Sequence, residues 1–188
     1  MVKWLFCSTY LLLTFIIPSL GVPSNIYFLF EHSSIFFFIL SVVLFYSTLI
    51  QELKKISITK LLRVVISSFL ILFIINLINT PISKSLSPSD LKNSLSFFFF
   101  SAITYGVILE EIVFRFCMIN LQTNKKSQYI IMLISAFLFA LVHGFGLVIF
   151  LSGILLGFVY IKTQNIWYSI ITHSLYNCFA ILVYLFLT

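Results

Sequence analysis

Six side chains in the second half of this 188-residue sequence have the types and spacing that hydrolytic chemistry needs: Glu110, Glu111, Arg115, His143, His173 and Asn177. Glu111 and Arg115 stand at i and i+4, on one face of a helix, where they can pair. Glu110 is turned about 100° from Glu111 and is not obliged to share that arginine. One carboxylate is thus suited to anchor structure and the other is available for chemistry. His143 shares a helical face with Phe139, four residues earlier, and His173 and Asn177 form a second pair one turn apart. A carboxylate or imidazole can take a proton from water, while a second imidazole and an amide can donate to a developing oxyanion. His and Glu could equally hold a divalent metal such as zinc with an open position. No G-x-S-x-G nucleophile and no H-E-x-x-H zinc signature occurs, so the chemistry expected is activated water rather than a covalent enzyme intermediate. Each group also has a plain structural reading: a buried ion pair with Glu110 merely solvated, a satisfied core histidine, and an asparagine that glues helices together.

The elements that must position these groups are membrane helices. The chain is 61% hydrophobic and only 9% charged, against about 25% charged in a soluble domain. Its mean hydropathy is +1.16. An ordinary soluble fold, a disordered chain and a disulfide-stapled module are excluded. Cys7, Cys117 and Cys178 are odd in number and lie in apolar runs, so they read as small buried hydrophobes. Net charge is +6, but the basic residues are scattered and form no stripe for nucleic acid. A span needs about 20 apolar residues. Candidates run from Trp4 to Val22, Ile35 to Ile50, Leu61 to Ile78, Leu95 to Leu121, and Trp167 to Leu187. The apolar stretch from Tyr129 to Ile161 is too long for one span and is expected to break at His143-Gly144-Phe145-Gly146, where two glycines weaken the helix. The expected fold is an all-α polytopic bundle of about seven spans, six to eight.

Charge gives the orientation. With the N-terminus inside, Lys3, Lys54, Lys55, Lys60, Arg63, Lys125, Lys126 and Lys162 all fall on the cytoplasmic side, against Lys84 and Lys92 outside. The expectation is a multi-pass protein of the plasma membrane, N-terminus in the cytoplasm. The first span reads as a retained anchor rather than a signal peptide, because Pro18-Ser19-Leu20-Gly21 is a poor cleavage site. Asn79 to Ser94, with Pro81 and Pro88, reads as the main external loop and divides the chain into residues 1–94, three packing spans, and residues 95–188, a functional module. His32, beside Glu31, falls in the first external loop and has no assigned role. Gly153 and Gly157 form a small-xxx-small face for close helix packing.

Glu110-Glu111-Ile112-Val113-Phe114-Arg115, Phe139-Ala140-Leu141-Val142-His143 and His173-Ser174-Leu175-Tyr176-Asn177, in this order and each within a span, resemble the E-E-x-x-x-R, F-x-x-x-H and H-x-x-x-N motifs of the CPBP family of intramembrane proteases. That family includes the type II CAAX prenyl endopeptidases. The resemblance covers roughly Leu95 to Leu182. It implies peptide-bond hydrolysis in an intramembrane cavity, with Glu110 as the base that activates water, His143 assisting, and His173 and Asn177 as oxyanion donors. Glu111 and Arg115 would support them, and no tightly held metal is favoured. The partners implied are a membrane-associated or lipid-modified peptide and the bilayer itself. Two departures stand out. Phe116 replaces the small residue common after the motif arginine and would narrow the cavity. His143 is also expected several Å farther from the cytoplasmic face than Glu110 and His173. Two other functions fit the residues: a non-catalytic bacteriocin-immunity or scaffold protein, and a small proton-coupled transporter using Glu110 and the histidines as a relay. The transporter lacks an evident inverted repeat.

Overall fold

The computed structural model describes residues 1–19, 24–78, 100–119 and 124–187, and among them the only regular structure is helical. The elements are α1 (Val2–Ser19), α2 (Ser24–Leu53), α3 (Ile58–Ile78), α4 (Tyr105–Glu111), α5 (Lys125–Val142), α6 (Leu147–Thr163) and α7 (Ile166–Leu187), with a π-helical stretch, Ile112–Cys117, continuing α4. The segments Ser33–Leu53, Ile58–Ile75, Lys125–Val142 and Ile166–Val183 are long and apolar enough to cross a bilayer. Large apolar side chains such as Phe36, Val43, Ile66, Phe73 and Phe137 point outward. In water such a surface would be prohibitive, and in lipid it is the rule. The chain is an integral membrane protein with an all-α fold.

The break expected at the glycines is present. Gly144 takes φ 81°, and the N–H of Phe145 bonds the Ala140 carbonyl at 2.8 Å while that of Gly144 bonds Leu141 at 3.2 Å. This pair of bonds is a Schellman stop, and a positive φ at its first position favours glycine. His143 is the C-cap, the last residue before the chain reverses into α6.

α5 and α6 pack closely because α6 offers no side chain along the contact. A Cβ built on Gly153 would lie 3.1 Å from both Cα and Cβ of Ala136, and one on Gly157 would lie 2.5 Å from Cγ of Met132. The small-xxx-small face is therefore a helix seam. Gly153→Val should weaken the bundle by about 1–3 kcal/mol, the usual overpacking range. Unfolding in mixed detergent would register it, and an unchanged midpoint would show that the seam yields freely.

At the opposite end of α6 the turn into α7 is gripped by the turn between α2 and α3. Glu52 accepts the Ile166 N–H on Oε2 at 2.7 Å, and the Asn165 amide donates to the Glu52 carbonyl at 2.6 Å. The Trp167 indole donates to Leu49 at 2.7 Å, and the Tyr168 hydroxyl accepts the Ser57 N–H at 3.0 Å. A carboxylate on the first N–H of α7 satisfies an orphan donor and complements the helix dipole. Removing it as Glu52→Ala should cost about 1 kcal/mol, read as earlier loss of helicity on detergent titration.

Three expectations need correction. Glu31 and His32 lie within α2 rather than in a loop, because a helix runs through two polar residues when the backbone gains by continuing. The fourth span is not one uninterrupted α-helix: residues 100–103 are helical, the chain breaks at Thr104 (φ −117°, ψ −103°), and α4 then passes into π geometry. Phe116 does not face the cavity. It is buried against Phe45, with Lys3 Nζ 3.5 Å from its ring centroid, because the widened turn presents it to α1 and α2. The proline-containing segment Asn79 to Ser94 lies outside the described residues. Cys7, Cys117 and Cys178 are free thiols, the first two buried.

Candidate active site

α4 and its π-helical continuation form the centre of the bundle. Every residue from Ile112 to Cys117 is buried. The Met118 N–H reaches the Val113 carbonyl at 3.3 Å, five residues back, the signature of a π-turn. The Cys7 thiol of α1 lies 3.8 Å from that same carbonyl. A segment covered on all sides must pair its charges internally, and Glu111 and Arg115 do so, although Arg115 Nη1 is left without a hydrogen-bond partner among the described residues. Glu111 and Arg115 are 0% and 1% exposed, with Nε 3.4 Å from Oε2. The guanidinium also donates through Nη2 to the Gly153 carbonyl at 3.4 Å, and Cζ sits 4.7 Å from the Phe139 ring centroid. The absent side chain at Gly153 thus lets the α6 backbone come within reach of the buried cation.

Glu111 receives two further donors. Ser169 Oγ donates to Oε2 at 2.5 Å, and His173 Nδ1 lies 2.9 Å from Oε1. With Nδ1 turned to this carboxylate, His173 directs Nε2 toward Glu110, 3.9 Å from its Oε2. On the other side, His143 Nε2 is 3.4 Å from Glu110 Oε1. The His143 Nδ1 is bonded to the Phe139 carbonyl at 2.8 Å, one turn back toward the start of α5. This backward fold follows from the direction in which helical side chains lean. It lowers the imidazole from the end of its helix to the level of Glu110, so the expected offset in depth does not separate them. The Phe139 ring packs against all three groups, with its centroid 4.4 Å from the ring of His143, 5.9 Å from that of His173 and 4.7 Å from Arg115 Cζ.

Glu110 is about a quarter exposed and borders a cavity of about 460 Å³, together with His143, His173, Asn177, Ser152 and Gly106. The two adjacent carboxylates have opposite surroundings, one saturated with donors in the core and one facing open space between two imidazoles. Asn177 donates from Nδ2 to the Ala102 carbonyl at 2.7 Å, and Ser174 donates to Ile103 at 2.7 Å. These bonds fix the short segment before Thr104 as one wall. Asn177 therefore borders the same cavity as Glu110 and the histidines, with one amide N–H held by the wall it supports.

Sequence reasoning singled out all six of these side chains and missed Ser169. Its signal was available, since Ser169, His173 and Asn177 recur every fourth residue along α7. Among the described residues, no three His, Cys, Asp or Glu side chains are grouped to hold a metal ion. His173 Nδ1 is held by Glu111, and its Nε2, like that of His143, is turned to Glu110.

Residues 92–179 match the family described as type II CAAX prenyl endopeptidase Rce1-like. The resemblance carried by the three motifs stands on that match. YdiL of Bacillus subtilis (strain 168), provisionally named a membrane peptidase, is 32% identical over 83 residues, which are 43% of this chain and 34% of that protein. The match thus spans about a third of the relative's length. No solved structure matches the chain.

Proposed function

We propose that this chain is an intramembrane endopeptidase that hydrolyses a peptide bond of a membrane-associated or lipid-modified peptide, and that residues 95–188 carry the activity. The observation that supports this reading best is the contrast between Glu110 and Glu111. One is neutralised in the core, and the other faces a cavity with an imidazole on either side. A water molecule lodged against Glu110 and His143 would lose a proton to the carboxylate as its oxygen attacks the scissile carbonyl. The resulting oxyanion would be met by His173 Nε2 and by the second N–H of the Asn177 amide. Because His173 Nδ1 donates to Glu111, donation from Nε2 requires the imidazolium form. Collapse of the tetrahedral species returns the proton through Glu110 to the departing amine. The Glu111–Arg115–Ser169 cluster holds the His173 ring in place.

The test is the purified protein in detergent with a panel of prenylated and unmodified peptides, the products read by mass spectrometry. Cleavage at one bond is expected, unchanged after dialysis against a chelator. Loss of cleavage on dialysis, restored by zinc, would overturn the water-and-carboxylate mechanism. An uncut panel would remove the support for proteolysis.

A further inference from the structure

We propose that Ser152 is a third donor to the oxyanion, a hydroxyl that α6 presents to the cavity beside His173 and Asn177 of α7. The proposal rests on the proteolytic reading of this site and adds to it a contact from a helix that carries none of the three motifs.

α6 turns one stripe toward the cavity, made of Val148, Ile149, Ser152 and Leu156, and residues spaced by four share a helical face. Three of these four are aliphatic. Gly153, about 100° round the helix, faces α5 instead and lies against Ala136. Ser152 is thus the polar side chain that α6 offers to the space bordered by Glu110, His143 and His173. Its height follows from the antiparallel register of α6 and α7, which Ser169 fixes by donating from Oγ to the Leu156 carbonyl at 3.2 Å. Four residues farther from the turn that joins the two helices stand Ser152 on α6 and His173 on α7. Both lie about 6 Å beyond that bond at 1.5 Å per residue, so hydroxyl and imidazole share a level.

The hydroxyl is also uncommitted. A buried serine or threonine in a helix commonly bonds a carbonyl one turn back, as Ser41 does to Phe38 and Thr172 to Tyr168. Ser152 is 8% exposed, and among the described residues its Oγ has no hydrogen-bond partner. A hydroxyl left unpaired in an apolar wall is a cost that a bound acceptor removes. The backbone beside it is fixed, since the Gly153 carbonyl is held by Arg115 Nη2 at 3.4 Å and the Gly153 Cα lies against α5. A donor held in place beforehand needs no reorganisation as charge develops on the scissile carbonyl. His173 Nε2 donates only as the imidazolium, whereas a serine hydroxyl donates in its ordinary neutral form. Ser152 keeps its proton throughout and forms no bond to the peptide, and the attacking oxygen remains that of the water activated by Glu110.

The experiment compares the full chain and its Ser152→Ala variant in detergent, on a prenylated and an unmodified peptide and on the phosphinic counterpart of each. In the phosphinic peptides a tetrahedral anion replaces the scissile amide. Ser152→Ala should lower kcat about 10- to 100-fold, the worth of one hydrogen bond to a charged group, with KM little changed. Binding of the phosphinic peptide should weaken by the same factor, because it is the charged tetrahedral state that the hydroxyl meets. The unfolding midpoint should stay where it is, and Ser152→Thr, which restores the hydroxyl, should recover most of the lost rate. A Ser152→Ala protein that cuts as fast as the parent, or that loses rate while holding the phosphinic peptide as tightly, would overturn the proposal and leave proteolysis standing. A threonine variant that recovers nothing would overturn it as well. A parent that binds the phosphinic peptides through Ser152 yet cuts neither substrate would leave the anion contact standing and remove the proteolytic reading. A parent that neither cuts nor binds would remove both.

Discussion

Glu110→Gln should lower peptide cleavage by about 10²- to 10⁴-fold, the contribution of a positioned general base, while the protein stays inserted and folded. Glutamine keeps the shape of the side chain and the cavity wall but cannot accept a proton from water. The loss should fall on kcat with KM little changed, since the group acts on the water rather than on the peptide. Folding should be spared because Glu110 borders the cavity and takes no part in the buried Arg115 cluster. The check is steady-state kinetics beside the detergent-unfolding midpoint of the same preparation. A variant that cuts as fast as the parent removes Glu110 from the chemistry. One that fails to fold places it among the structural groups instead.

Arg115→Met should do the opposite, destabilising the bundle by about 3–5 kcal/mol, the cost of leaving one member of a buried ion pair alone. Glu111 would keep Ser169 and His173 as donors but lose its cation. Phe139 would lose the guanidinium 4.7 Å from its ring centroid, and the Gly153 carbonyl would lose its donor. Combining Arg115→Met with Glu111→Gln should recover part of this loss, since the stranded charge is the main cost. Arg115→Lys should not restore the parent, because an ammonium cannot reach Glu111 and Gly153 at once from the positions of Nε and Nη2. Unfolding midpoints of the parent, Arg115→Met, Glu111→Gln and the double variant complete the cycle. If the double substitution is no better than Arg115→Met, the uncompensated carboxylate is not the source of the cost.

The local features of this architecture were legible in the residues. An acid and an arginine four apart in an apolar helix have to find each other. A Gly144-containing turn has to stop a helix too long for the bilayer, and two glycines four apart have to let a neighbour approach. Features made by distant segments were not. Nothing near Glu52 announces that it caps a helix 114 residues away. The π-turn also leaves no mark in the apolar pattern, because all its residues are buried whichever way they turn. That turn is why Phe116 packs on Phe45 rather than in the cavity. The level of His143 escaped for a similar reason: counting residues measures the height of a backbone, and the ring leans back from its own Cα toward the Phe139 carbonyl.

The four-way knot at Glu111 also bears on how the polypeptide is made. Arg115 follows within the same turn, but Ser169 and His173 are synthesised 58 and 62 residues later. At roughly 5–20 residues per second, the nascent segment waits about 3–12 seconds with its acid only half satisfied. A ribosome stalled before α7 emerges would leave an insertion intermediate with a polar wound at its centre, the kind of defect that membrane quality-control machinery is placed to detect.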